Sequence, residues 1–178
     1  MPFLPEVTEE LAGPELKKTY EQIRQAYGGW VPSFFTLQGS HPELVAAELA
    51  MAGVVMGPGE LDPNTKEFVA LAVSVFNTSS YCIDKHMEVL RKMGIPHKVV
   101  RQLTFGVDET EVTEELKVLA RFAQKITFRP TEITESDFEA LRQKGFSDRA
   151  ILEALAVAAW WNFINRMAIA LGAVPEVR

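Results

Sequence analysis

The punctuation of this chain limits its fold more than any single motif does. Its apolar stretches open at a proline or a capping residue, close near a glycine, and keep helical spacing in between. Pro14 precedes Leu16, Tyr20, Ile23 and Tyr27, and Gly28-Gly29 follows. Proline fits a first helical turn because its missing N–H has no partner there anyway, and glycine fits the left-handed position past the last turn. His41-Pro42 opens another stretch, with Ser40 as its expected N-cap and His41 exposed at the helix start. Leu44, Val45, Leu49, Ala52 and Val55-Met56 face inward there, and Gly57-Pro58-Gly59 ends it. Asp62-Pro63 starts a long helix with Asp62 as N-cap and Glu67 in its second turn.

The rest follows the same grammar. Trp30 to Leu37 predicts one or two helical turns begun at Pro32-Ser33, read as core packing. Ser80 to Met93 is closed by Gly94, Ile95-Pro96-His97 begins a helix to about Leu103 or Phe105, and Thr113 caps one to about Thr127. Thr134 to Lys144 and Ser147 to Ala170 complete the set, stopped by Gly145 and Gly172. Leu71 to Phe76 is rich in β-branched residues, yet no partner strand exists elsewhere, so it reads as buried helix. The expectation is an all-α fold of about eight helices in a single domain over residues 1–178, with 1–13 an irregular arm.

Composition narrows the function classes. The chain has 178 residues, 47% apolar and 24% charged, enough for one sizeable core. A net charge of −6 offers no basic surface for nucleic acid. A single cysteine excludes an intrachain disulfide and a cysteine-based zinc cluster, which fits a reducing, cytoplasmic setting. Three scattered histidines lack metal-ligand spacing, so neither a metal nor another cofactor is expected. The N-terminus has no signal-peptide pattern. No uninterrupted apolar run reaches the ~18 residues of a membrane span; the nearest, Ile151 to Ala159, contains Glu153.

Chemistry concentrates between Glu67 and His86. Cys82 and His86 stand four residues apart, hence one turn apart on one helix face. Asn77-Thr78-Ser79-Ser80 is a cluster of capping residues, so Cys82 falls in a first turn, where the helix dipole favours thiolate over thiol. The other reading is an inert buried cysteine, because free cysteine is among the most buried residue types. Glu67 lies about ten residues before its helix end, roughly 15 Å along the axis. In a simple antiparallel hairpin it therefore faces residues near 90, closer to His86 than to Cys82.

The segment resembles the core motif of the carboxymuconolactone decarboxylase and alkyl hydroperoxidase D (AhpD)-like superfamily, and within it the peroxidase-related branch. Glu67, Ser79, Tyr81-Cys82, His86 and Gly94 fall at the intervals of that motif. Gly28 to Phe34, Leu61 to Glu67 and Asn162 to Arg166 extend the likeness over most of the chain. The resemblance implies that Cys82 attacks a peroxide and that His86 and Glu67 relay the proton. It also implies a homo-oligomer, such as a trimer or hexamer. The first cysteine of the family's CxxC pair is Ser79 here, so no intrachain disulfide can resolve a Cys82 sulfenic acid, and an external thiol reductant is required. The function so implied is that of a thiol peroxidase, an antioxidant oxidoreductase acting on a peroxide or other small molecule, away from nucleic acid and membranes. Two alternatives stand beside it: a carboxymuconolactone-decarboxylase-like enzyme without redox cysteine chemistry, and a non-catalytic oligomeric binding or sensor protein.

A second constellation lies near the C-terminus. Asn162, Asn165 and Arg166 form a polar stripe on an otherwise apolar helix. It reads either as a pocket wall or anchor near the cysteine, or as a structural network or subunit contact. Tyr81 reads as packing or pocket wall, and Asp84 and Lys85 as solvent-facing.

Overall fold

The computed structural model describes residues 2–92, 94 and 96–176. Among these the chain is all-α: α1 (Pro14–Ala26), α2 (Ser33–Thr36), α3 (Pro42–Met56), α4 (Pro63–Phe76), α5 (Ser80–Lys92), α6 (Lys98–Phe105), α7 (Glu114–Phe128), α8 (Glu135–Gln143) and α9 (Asp148–Leu171), with a 3-10 turn at Pro130–Glu132. Met93 and Ile95, assigned from sequence to the end of one helix and the start of the next, lie outside the described residues.

α4 is the hub, packed on α3, α5, α6, α7 and α9. Every residue from Phe68 to Val75 is buried. A helix covered on all sides shows no amphipathic period, which is why its β-branched run could be mistaken for a strand. Its start is fixed by Asp62, whose carboxylate accepts from the N–H groups of Asn64 (2.9 Å) and Thr65 (3.1 Å). The predicted cap of α3 is corrected by one residue. His41, not Ser40, takes the position, its Nδ1 accepting weakly from the Leu44 N–H at 3.4 Å.

α9 is, by length and composition, apolar enough to cross a membrane, which a search for an uninterrupted apolar run does not detect. In the fold it packs against α3, α4, α5, α7 and α8. Residues 2–13, before α1, carry no helix or strand. They are tied to the body of their own chain by Phe3 N–H to Leu171 O (3.0 Å) and Val7 N–H to Thr36 O (2.9 Å). Gly39 makes this possible: a Cβ there would come within 2.6 Å of Val7 Cβ and 2.7 Å of the Tyr20 hydroxyl.

Only Asn77, Thr78 and Ser79 join α4 to α5. Thr78 adopts a φ of 55°, a left-handed conformation uncommon for a β-branched residue. This tight reversal lays α5 back along α4 and sets the register of the site.

Candidate active site

Cys82 lies in the first turn of α5 and is 2% exposed. It lines an apolar cavity of about 70 Å³ together with Phe34, Tyr81, Trp160 and Trp161, and with two charged residues, Glu48 and Lys85. Phe34 and Tyr81 stack with centroids 6.3 Å apart. So much aromatic surface around so small a space favours a compact, largely apolar ligand.

The tight α4–α5 hairpin brings Glu67 to His86. Glu67 Oε2 lies 2.8 Å from His86 Nδ1. An ionised carboxylate can only accept, so Nδ1 carries the proton, and neutral His86 then holds its lone pair on Nε2. Nε2 is buried and has no hydrogen-bond partner. The ring stands perpendicular to Trp161 at 4.1 Å, which fixes its orientation. A carboxylate-oriented imidazole with a free nitrogen, one helical turn from a thiol, has the parts of a nucleophile–base–orienter arrangement.

The helix dipole does not prevail at Cys82. Burial pushes the thiol up to about 11, against a smaller lowering by Ser79. Desolvation, on which the reading of an inert buried cysteine rested, outweighs the first-turn position here. Ser79, at the place of the missing cysteine, is 1% exposed, and its Oγ makes no hydrogen bond of full geometry.

Glu48 escaped the sequence reading. It is 3% exposed on α3, with Oε2 accepting from Gln38 Nε2 at 3.0 Å and Oε1 buried without a partner. Burial pushes its carboxyl up to about 7 in spite of the Gln38 hydrogen bond. The signal was present: Glu48 falls on the stripe of Val45, Leu49 and Ala52, an acid on the inward face of an apolar helix.

Lys85 is a correction, since it does not face solvent. It is half-buried at the cavity, 2.6 Å from Glu176 Oε2 and 4.7 Å from the Trp30 ring centroid. Glu176 also accepts from the Ser33 N–H at 2.6 Å, joining the chain's C-terminal segment to α2. Asp84 is exposed.

Of the residues read as possible pocket wall, Tyr81 lines the cavity, whereas Asn162, Asn165 and Arg166 are not among its lining residues. Asn162 instead ties three helices together. Its Nδ2 donates to Thr127 Oγ1 (3.0 Å), and its Oδ1 accepts from Asn77 Nδ2 (2.9 Å) and from Arg166 (2.6 Å). Asn165 is fully buried, and neither side-chain polar atom has a partner. Among the described residues, no group of three or more His, Cys, Asp or Glu side chains is arranged to hold a metal ion.

Comparison with known proteins relates part of the chain to a family and its fold to solved structures. The sequence profile of the carboxymuconolactone decarboxylase family matches residues 42–125, the span that holds Glu48, Glu67, Cys82 and His86. The fold is similar to the alkylhydroperoxidase AhpD core of an uncharacterized peroxidase-related protein from Ralstonia eutropha JMP134 (TM-score 0.88, 25% identity, 98% of this chain and 92% of that one). It is similar as well to an uncharacterized peroxidase-related protein from Silicibacter sp. TM1040 (TM-score 0.84, 28% identity, 99% and 94%). The debrominase Bmp8, in a cysteine-to-alanine variant in complex with 2,3,4-tribromopyrrole, shares the fold at 18% identity (TM-score 0.81, 99% and 93%). No curated protein matches by sequence. Residues 42–125 thus match the carboxymuconolactone decarboxylase family, and the whole chain shares the all-α fold of the AhpD-like, peroxidase-related structures.

Proposed function

We propose that this protein is a one-cysteine thiol peroxidase. The observation that carries the reading is the Glu67–His86 pair, whose unpartnered Nε2 lies one turn from Cys82. A thiol held up to about 11 by burial is almost wholly protonated at neutral pH, so it needs a local base. His86 takes the thiol proton on Nε2, and Glu67 steadies the imidazolium that forms. The Cys82 thiolate then attacks the terminal oxygen of a hydroperoxide. An S–O bond forms, the O–O bond breaks, and the leaving alkoxide is protonated to the alcohol. The sulfenic acid on Cys82 next reacts with an external thiol, releasing water and forming a mixed disulfide. A second thiol frees Cys82 as the reduced thiol. Ser79 supports this division of labour, since a hydroxyl cannot form the intrachain disulfide.

The aromatic walls support an organic hydroperoxide over hydrogen peroxide. The test is oxidation of the reduced protein by each peroxide, with dimedone trapping read by mass spectrometry. The expected result is one dimedone adduct on Cys82, formed faster with the organic peroxide. A rate no greater than that of a free thiol in solution would overturn the reading.

A second reading is supported by the same apolar cavity and by the shared fold of Bmp8, namely thiol-dependent dehalogenation of a small halogenated aromatic. Bromide release from a brominated pyrrole, with no reaction toward peroxides, would favour it. Turnover of a lactone acid that survives Cys82→Ala would move the assignment to decarboxylase-type chemistry.

A further inference from the structure

We propose that Glu48 is the general acid of this site, delivering a proton to the oxygen that leaves when Cys82 attacks a hydroperoxide. The inference rests on the peroxidase reading and adds a second carboxyl group to it. Three observations support it. Glu48 and Cys82 line the same cavity, on different helices, α3 and α5. Its carboxyl is held on one side only: Gln38 Nε2 bridges Phe34 O (3.1 Å) and Glu48 Oε2 (3.0 Å), while Oε1 is buried with no partner. No free cation compensates its charge among the cavity residues, because Lys85 is engaged with Glu176 at 2.6 Å.

The other titratable groups at the cavity are Tyr27, Tyr81 and Cys82, and none of these supplies positive charge. Glu67 is engaged with His86 at 2.8 Å. The neutral, protonated form of Glu48 is therefore the favoured one up to about pH 7. The two carboxyl groups divide the work. Glu67 holds the base that receives the thiol proton, and Glu48 holds the acid that the leaving group needs.

Cys82 sulfur bonds to the terminal peroxide oxygen, which keeps its hydrogen, and the O–O bond breaks heterolytically. The alkoxide takes the Glu48 proton and leaves as the alcohol. His86 ends protonated and Glu48 ionised; His86 then gives its proton to solvent and Glu48 takes one back, so no net proton is consumed. Glu48 acts only where the leaving group is basic. An alkoxide needs the proton; the acetate expelled from peracetic acid does not.

The test compares cumene hydroperoxide and peracetic acid as oxidants of Cys82 in the wild type and in Glu48→Gln. Glutamine keeps the volume and can still contact Gln38. Glu48→Asp, which retains an acid, controls for packing. The expected result is a loss on the order of 10²-fold for cumene hydroperoxide in Glu48→Gln, with the peracetic acid rate nearly unchanged and the Asp variant in between. The wild-type to Glu48→Gln ratio for cumene hydroperoxide should also fall as pH rises past about 7, where Glu48 gives up its proton. Taking the ratio cancels the ionisation of Cys82. Equal slowing with both oxidants, or none with either, overturns the role of Glu48 while leaving Cys82 a peroxidase. If wild-type Cys82 outpaces a free thiol with neither oxidant, the peroxidase reading fails and this inference with it.

Discussion

Two acids in this bundle, Glu48 buried and Glu153 half-buried, have opposite surroundings. Glu153 on α9 is fully engaged. Its two oxygens accept from the N–H groups of Glu60 (3.1 Å) and Leu61 (3.0 Å), and it faces Lys66, a lysine only 1% exposed, at 3.4 Å. Lys66 is also held by Gly57 O at 2.7 Å. Burial alone would raise the Glu153 carboxyl, but those backbone donors and Lys66 hold it down at about 2. Glu48 is buried with one hydrogen bond and an idle oxygen, and rises to about 7. The first cluster locks the loop between α3 and α4 in front of the hub helix. The second sits in a cavity lined also by Cys82; His86 Nε2 and Ser79 Oγ are likewise buried without partners but are not among the cavity's lining residues. Saturation, together with burial, separates scaffold from candidate site: Glu153 has its bonds made, and the more deeply buried Glu48 has one withheld.

The contrast can be broken at three places. Glu153→Ala should have the largest effect on folding, on the order of 3–5 kcal/mol, because it leaves a buried lysine and two backbone donors without their acceptor. Urea unfolding at neutral pH measures it. A folded-state value below the unfolded one means that this contribution is present above about pH 4.5 and is lost as pH falls toward about 2.

Glu48→Gln should go the other way. The folded-state value is raised, so the wild type keeps its full stability below about pH 4.5 and loses some as pH rises through about 7. Glutamine carries no charge, so the variant should match the wild type in acid and exceed it above pH 7 by at most about 3 kcal/mol. Equal stability of the two proteins at every pH would remove Glu48 from the unsatisfied class. Asn162→Ala, in the saturated three-helix network, should cost about 1–2 kcal/mol and leave the oxidation rate of Cys82 unchanged. A large rate effect there would mean that the network reaches the site.

Much of this arrangement was legible in the sequence, for identifiable reasons. Caps and breakers mark helix ends locally, so Asp62-Pro63, Ser147 and Gly172 could be read without tertiary information. Cys82 and His86 share a helix, and spacing alone puts them on one face. The register between α4 and α5 was accessible because so short a link joins them. What was not legible depends on contacts between distant segments. Lys85 has the look of a surface residue until Glu176, 91 positions further on, is folded back against it. Cys82 has the spacing of an activated thiol, but its ionisation is governed by the apolar walls that α2 and α9 bring to it. Asn162 is on a stripe that could line a pocket or tie helices, and only its partners Asn77 and Thr127 decide between the two. Glu48 was visible as an acid in an apolar stripe, the kind of local inconsistency that marks functional positions.

The central claim is that Cys82 is activated locally by His86 and Glu67 and not by its own acidity. It is tested most directly by the ratio of two rates for the same thiol at neutral pH, oxidation by cumene hydroperoxide and alkylation by iodoacetamide. A thiol held up to about 11 should alkylate slowly. The account predicts a wild-type ratio far above that of a free thiol, and a fall of about 10²–10⁴-fold in oxidation for His86→Ala and Glu67→Gln with alkylation little changed. A wild-type ratio equal to that of a free thiol, unaltered by either substitution, would contradict it.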